Sequence, residues 1–540
     1  MIRSIFLLSL LRGLLAHGFP AASSKPVVTL DYATYRGTRL NAGVDQYLGM
    51  CFAASPVGEL RFRAPQDPPK MSGIQEATEF GPSCVGTNQN VTSSLSEDCL
   101  FVNVFTPSSA STTSKLPVWV YIQGGGYALN SNQNYNGTGV IENSEYGLVF
   151  VNFNYRVGAL GFLASEQVRR NGDLNAGLLD QRKVLRWVQK YIVLFGGDPA
   201  HVVIHGASAG AGSVAHHLAA YNGQDEDLFI GAVPESTFWP TLRTVNDMKP
   251  QFSRFAHDAG CGDAADTMAC LRSLDINKIQ IANVVSAFPD GPSSPLPNWY
   301  FLPVIDGGLV SDQLSRAFQQ GKIKRVPMIV GDDTDEGSFF AINATNELDI
   351  SRFFKANYPN LNERQLQAIN WAYPLMPAVA EHAEYFPSAS AAYGESTFTC
   401  PGNLMAGSMA FYLGPNKVWN YRYNVRDPTL VVEGIGVPHT FETTAIFGYP
   451  YAENIDPDTY APGGLNAAMV PLTMKYWISF VTTLSPNTSK LKNAPDWEPW
   501  GGIPARRLKL ELNATTMEIV PESQRQRCEL WWSLANTMQI

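Results

Sequence analysis

Gly206-Ala207-Ser208-Ala209-Gly210 places a serine between two glycines. A short apolar run, His201–His205 (HVVIH), precedes it, and an alanine-rich run to about Ala220 follows. A serine on a tight strand-to-helix turn is a nucleophile elbow. Its glycines leave room for neighbouring chain, and the free N–H groups at the start of the following helix favour developing negative charge. The bare pattern also fits an ordinary glycine-rich turn, but the strand-and-helix setting favours nucleophilic chemistry.

A serine hydroxyl needs a base, and the base needs an orienting acid. With a serine elbow, the acid and then the histidine follow in the chain. Of the eight histidines, His257, His382 and His439 lie far enough downstream. His439 has the best setting, in the loop Gly436-Val437-Pro438-His439-Thr440. His205, His216 and His217 flank the elbow and read as packing residues; His382 reads as a solvated helix surface. For the acid, Gly331–Gly337 (GDDTDEG) follows the apolar run Val326–Val330 and carries Asp332, Asp333, Asp335 and Glu336. Spacing alone does not choose among the four, and the other three read as a solvated acidic turn.

These groups need a rigid frame. Leu116–Ile122 (LPVWVYI) is apolar and β-branched and reads as a buried strand, with Gly124-Gly125-Gly126 close behind it. Gly147–Tyr155 reads as another strand. Gly177–Phe195 repeats apolar residues at helical spacing. Alternating strands and helices predict an α/β fold with a mostly parallel central sheet and helices on both faces.

Several motifs together resemble the type-B carboxylesterase/lipase family, which also contains the cholinesterases. Leu48–Phe62 and Ser96–Phe105 resemble its N-terminal signatures. Gln123–Tyr127 (QGGGY), Asn154–Phe162, the elbow, Asp335–Phe340 (DEGSFF) and Val437–Glu442 (VPHTFE) follow in the family's order. The resemblance implies one large α/β-hydrolase domain over residues 23–540. It implies Ser208, Glu336 and His439 as catalytic groups, and Gly125, Gly126 and Ala209 as the oxyanion hole. The expected function is hydrolysis of a neutral, small-molecule carboxylic ester through an acyl-enzyme, with no cofactor and no metal. Acyl transfer or lactone chemistry is the alternative. Two departures stand out: Ala207 where most members carry Glu, and Gln123 where many carry His or Tyr. Tyr127, Trp239, Phe339 and Phe340 are candidates for the pocket walls; the family places an acyl-pocket phenylalanine at Phe340.

The resemblance also implies the disulfides Cys84–Cys99, Cys261–Cys270 and Cys400–Cys528, leaving Cys51 unpaired. The Cys84–Cys99 loop is polar and lacks tryptophan. Lipases of this family carry a longer, amphipathic lid there, and cholinesterases a tryptophan for choline. A soluble carboxylesterase is therefore the better expectation.

The remaining composition sets limits. The 540 residues are 45% hydrophobic and 16% charged, which excludes disorder and coiled coil. A net charge of −9 argues against nucleic acid as a partner. No internal segment reaches 18 consecutive apolar residues, so no stable membrane insertion is expected. Met1–Ala22 reads as a secretory signal: Arg3 at the start, an apolar stretch Ile5–Leu15 interrupted by Arg12, and small residues near Ala21. Sequons at Asn90, Asn136, Asn343, Asn487 and Asn513 agree with export, each requiring surface exposure. So does the cysteine usage: seven cysteines, with no CxxC spacing.

Overall fold

The computed structural model describes residues 25–130, 135–452, 457–502 and 504–540. The expected signal segment Met1–Ala22 lies outside the described residues. Eleven strands form the main sheet. In chain order they are β1 (Thr38–Arg39), β2 (Val44–Cys51), β3 (Phe101–Pro107), β4 (Leu116–Ile122), β5 (Val149–Phe153), β6 (Gly197–Ala207), β7 (Gly231–Glu235), β8 (Met328–Asp333), β9 (Val418–Tyr423), β10 (Arg506–Leu510) and β11 (Thr516–Ile519). Across the sheet the order is β11-β10-β9-β8-β7-β6-β4-β5-β3-β2-β1. Neighbouring strands from β5 through β10 run parallel. The outer strands pair antiparallel.

Side chains alternate across a strand, so a strand covered on both faces is apolar throughout. β4 shows this directly. Val118, Val120 and Ile122 belong to the core on one face. Trp119 and Tyr121 belong to the core on the other. Val202 and Ile204 against Val203 repeat the division in β6. The helical spacing after Gly177 becomes α1 (Ala176–Tyr191), continued by a 3₁₀ turn to Phe195. The helix after the elbow, α2, spans Ala209–Gly223, but its backbone leaves helical geometry at Ala220.

The structure links Cys84 to Cys99, Cys261 to Cys270 and Cys400 to Cys528, and leaves Cys51 free. Asn90, Asn343 and Asn513 are exposed, and Asn136 is half-buried. Asn487 departs from the expectation of a simple surface sequon. Its amide donates to the Trp497 carbonyl at 2.9 Å and accepts from the Trp497 N–H at 2.8 Å, so it closes a loop.

One buried ion pair fastens the start of α1 to the loop after β5. Asp180 accepts two bonds from the Arg156 guanidinium, at 2.8 and 2.6 Å, and a third from its backbone N–H at 3.0 Å. Both side chains are inaccessible to solvent or nearly so. Removing one partner strands the other as an unpaired buried charge. Asp180→Ala should therefore destabilise the fold by about 3–5 kcal/mol, read as a lowered denaturation midpoint.

Candidate active site

Parallel strands deliver their following loops to one edge of a sheet, the usual place for a site in α/β proteins. Ser208 follows β6, Ser236 follows β7, Glu336 lies just past β8, and His439 lies in the loop beyond β9. β6, β7, β8 and β9 are consecutive neighbours in the sheet.

Ser208 takes φ 60° and ψ −126°, outside the conformations a serine favours. Its N–H donates to the Glu235 carbonyl at 3.0 Å, and its own carbonyl accepts from Gly212 at 2.9 Å. The turn is compressed. A Cβ on Gly210 would come within 2.0 Å of the Ile122 carbonyl oxygen, so only glycine fits there. Ala209 is the first residue of α2, so its N–H is one of the helix's free donors.

The Gly124–Gly126 turn lies at the end of β4, beside β6. Gly125 has φ 108° and Gly126 φ 62°, both in the region that glycine tolerates. A Cβ on Gly126 would lie 1.9 Å from the Trp299 ring. Gln123 turns into the core, where its amide nitrogen donates to the Phe153 carbonyl at 2.9 Å.

The loops that carry Glu336 and His439 are laced together. His439 Nδ1 is hydrogen-bonded to Glu336 Oε2, and both side chains are buried. Glu336 Oε1 accepts from the Asp333 N–H at 2.8 Å. Asp335 N–H donates to the Val437 carbonyl at 2.9 Å, and Val437 N–H returns to Asp335 Oδ2 at 2.8 Å. Phe441 N–H donates to Asp333 Oδ2 at 3.1 Å. His439 Nε2 is buried without a hydrogen-bond partner among the described residues. It makes no hydrogen bond to Ser208 here; such contacts are often loose until a substrate is bound.

The solvated acidic turn expected from sequence is corrected by the structure. Asp332 and Asp333 are buried, and burial pushes both carboxyls well above the ordinary range. His382 is also corrected: it lies in a bend rather than a helix, stacked on Phe386 with centroids 3.8 Å apart.

Aromatic rings connect the Gly124–Gly126 turn to His439. Trp299 packs on Phe238 at 5.4 Å and on Phe340 at 5.8 Å between centroids. Phe340 and Phe398 then contact His439 at 5.0 and 4.3 Å. Phe398 comes from a π-helical turn, Glu395–Thr399, a feature frequent at functional sites. Phe339 is exposed and walls a cavity of about 450 Å³ that includes His439, Leu430 and Phe441. Tyr127 and Trp239 sit differently from the expectation. Both are interior packing groups, Tyr127 against Phe162 and Phe238, and Trp239 against Phe318. Sequence reasoning missed Trp299, Phe238 and Phe398, because only tertiary packing brings them to this edge.

It also missed Glu235, which lies beside the elbow. Its carboxylate approaches His205 Nε2 at 2.9 Å and accepts from the Trp477 indole. Trp119 donates to His205 Nδ1 at 2.9 Å. Burial lowers His205 to about 3 and raises Glu235 well above its usual range, so this pair is kept neutral. Among the described residues, no group of three or more His, Cys, Asp or Glu is placed to hold a metal ion.

The pattern of the carboxylesterase family matches residues 24–531. "Secreted lipase 4" of Gibberella zeae is 29% identical over 529 residues, 93% of this chain and 92% of that protein. "Lipase 1" of Geotrichum candidum is 35% identical over 382 residues, 62% of this chain and 67% of that protein. The crystal structure of Aspergillus niger EstA superposes with a TM-score of 0.94 at 59% identity, covering 96% of this chain and 99% of that one.

The crowding at Gly126 can be tested. Gly126→Ala must displace either the turn or Trp299, and it adds a side chain at positive φ. If the turn supplies an oxyanion donor, as the sequence resemblance implies, the rate of ester hydrolysis should fall by about 100-fold. A variant with unchanged kcat would show that the turn takes no part in catalysis.

Proposed function

The chain belongs to the carboxylesterase family, and from that membership we propose that it cleaves neutral carboxylic esters through an acyl-enzyme on Ser208. Its fold is an α/β-hydrolase, and it is a carboxylic ester hydrolase acting on a small-molecule ester. The observation that carries the finer reading is the buried His439–Glu336 pair, with Nε2 left free at the edge where Ser208 starts its helix.

In this reading His439 Nε2 takes the hydroxyl proton as Ser208 attacks the ester carbonyl. Glu336 fixes the tautomer with the proton on Nδ1 and stabilises the imidazolium that forms. The N–H groups of Gly125, Gly126 and Ala209 meet the oxyanion, each donor worth about 2.7–4 kcal/mol. His439 returns the proton to the leaving alcohol. Water, activated by the same imidazole, then releases the acid. Phe340, Phe398 and Trp299 form the apolar wall for the acyl chain, and Phe339 a wall of the outer cavity.

A soluble esterase fits better than an interfacial lipase. The Cys84–Cys99 loop is pinned rather than free. Gln280 donates to the carbonyls of Gly86 and Gln89 at 2.8 and 2.9 Å, and Asn88 N–H donates to the Asn283 carbonyl at 2.9 Å. A lid must swing, and these bonds oppose it. Among the described residues no helix is long and apolar enough to cross a membrane. We further propose that the chain is exported and that residues 23–540 act as one domain. Three disulfides and a relative named as secreted support the export.

A p-nitrophenyl ester series from acetate to palmitate tests this. Turnover should be fastest on short chains and should fall by at least about 10⁴-fold in Ser208→Ala, as loss of a catalytic serine does. A rate that jumps only above the substrate's solubility limit would contradict the fixed-loop argument. Full activity in Ser208→Ala would contradict the nucleophile.

A further inference from the structure

The acid–base pair leaves two buried carboxyl groups beside it unexplained. Asp333 precedes Glu336 by three residues, and Glu442 follows His439 by three. Both are inaccessible, at 1% and 0% exposure. Each has one oxygen accounted for. Asp333 Oδ2 accepts from Phe441 N–H, and Glu442 Oε1 accepts from the Tyr421 hydroxyl at 2.7 Å. The other oxygens, Asp333 Oδ1 and Glu442 Oε2, are buried and meet no N–H or hydroxyl donor among the described residues. The two side chains lie close enough to interact, so a proton on one of them would be the hydrogen that bonds them. Two carboxylates have no hydrogen to share, and bare charges in contact in a dry interior would repel.

We propose that Asp333 and Glu442 share one proton, and that the bond it makes clamps the loop of Glu336 to the loop of His439. The inference rests on the reading of those two residues as acid and base. Asp333 is the hinge of the arrangement. Its N–H holds Glu336 Oε1, and its Oδ2 holds the backbone two residues beyond His439. Shifting Asp333 therefore shifts both partners of the His439–Glu336 bond. Asp333 and Glu442 are positioning residues in this account, and the proton stays between them throughout turnover.

The surroundings favour keeping that proton. Glu235, Glu336 and Asp332 are acidic neighbours. The hydroxyls of Tyr121, Tyr421, Tyr423 and Tyr460 and the ring of His205 also face the pair. Arg507 and Arg422 act on Asp332. Burial, the largest effect, lifts both carboxyls, Glu442 to about 7. A group raised above its unfolded value contributes stability at low pH and loses it as pH rises through the folded value. The clamp is closed on the acid side and opens as the pH becomes alkaline.

Amide substitution separates this from plain packing. Asp333→Asn or Glu442→Gln supplies an N–H to the remaining carboxylate, so the bond survives without an ionisable proton. In the double variant the two carbonyls stay with Phe441 N–H and Tyr421, so two NH₂ groups face each other and the bond is lost. On a p-nitrophenyl ester, each single variant should lose less than about tenfold in kcat, with KM unchanged and the alkaline fall in activity moved to higher pH. The double should lose more than about 100-fold, beyond the product of the singles. Additive losses, or single variants whose alkaline limb does not move, would overturn the clamp. If the double does not fold, the pH profiles of the two singles decide. Ser208→Ala and Glu336→Gln are measured alongside. If they keep turnover, the triad reading fails; if they lose it while the pair behaves additively, only the clamp fails.

Discussion

A carboxylate in a protein interior needs donors for its oxygens, or it takes up a proton instead. The site is built around that constraint. Glu336 is 2% exposed, and its two oxygens are met by the Asp333 N–H and by His439 Nδ1. Those contacts fix which ring nitrogen of His439 carries the proton, and so leave Nε2 as the free acceptor. A different donor on either oxygen would rotate the imidazole. The Asp335–Val437 and Asp333–Phe441 bonds carry the same order outward, joining two loops about a hundred residues apart in the chain.

The sheet supplies what those loops cannot. β6, β7, β8 and β9 run parallel and are buried on both faces, so the turns at their ends have little freedom. Ser208 is held in a strained conformation by that rigidity and by the close approach of Gly210 to Ile122. Glu235 sits at the end of β7 with its carbonyl on Ser208 N–H and its side chain between His205 and Trp477. The floor of the site is thus polar but neutral. In the proposed mechanism, positive charge developing on His439 has Glu336 as its nearest counterion.

Some of this was legible from residue types. Leu116–Ile122 is apolar on both faces because it packs on both faces, and its observed limits are those the sequence suggests. The elbow was legible because glycine at −2 and +2 has a steric reason that survives into the fold. The pairing of Glu336 with His439 was not legible from spacing. Four carboxylates fall within five residues, and which one turns toward a histidine depends on backbone bonds to a distant loop. The same limit hid Asp333 and Glu442. An acidic turn reads as solvated, and only the packed loop around His439 removes Asp332 and Asp333 from water. Trp299 and Phe398 were hidden for a related reason: aromatic residues carry no sign of which cavity they face. Asn487 shows the reverse error, a surface motif whose side chain serves the backbone of Trp497.

The central claim is that Ser208 is the nucleophile and that His439, held by Glu336, activates it. Covalent labelling tests this most directly. The folded protein would be treated with a fluorophosphonate and the modified peptide located by mass spectrometry, for wild type and for Glu336→Gln. The account predicts a single phosphonyl group on Ser208 and a much slower reaction in the variant. Label on another serine, such as Ser213 or Ser236, or equal rates in both proteins, would contradict it.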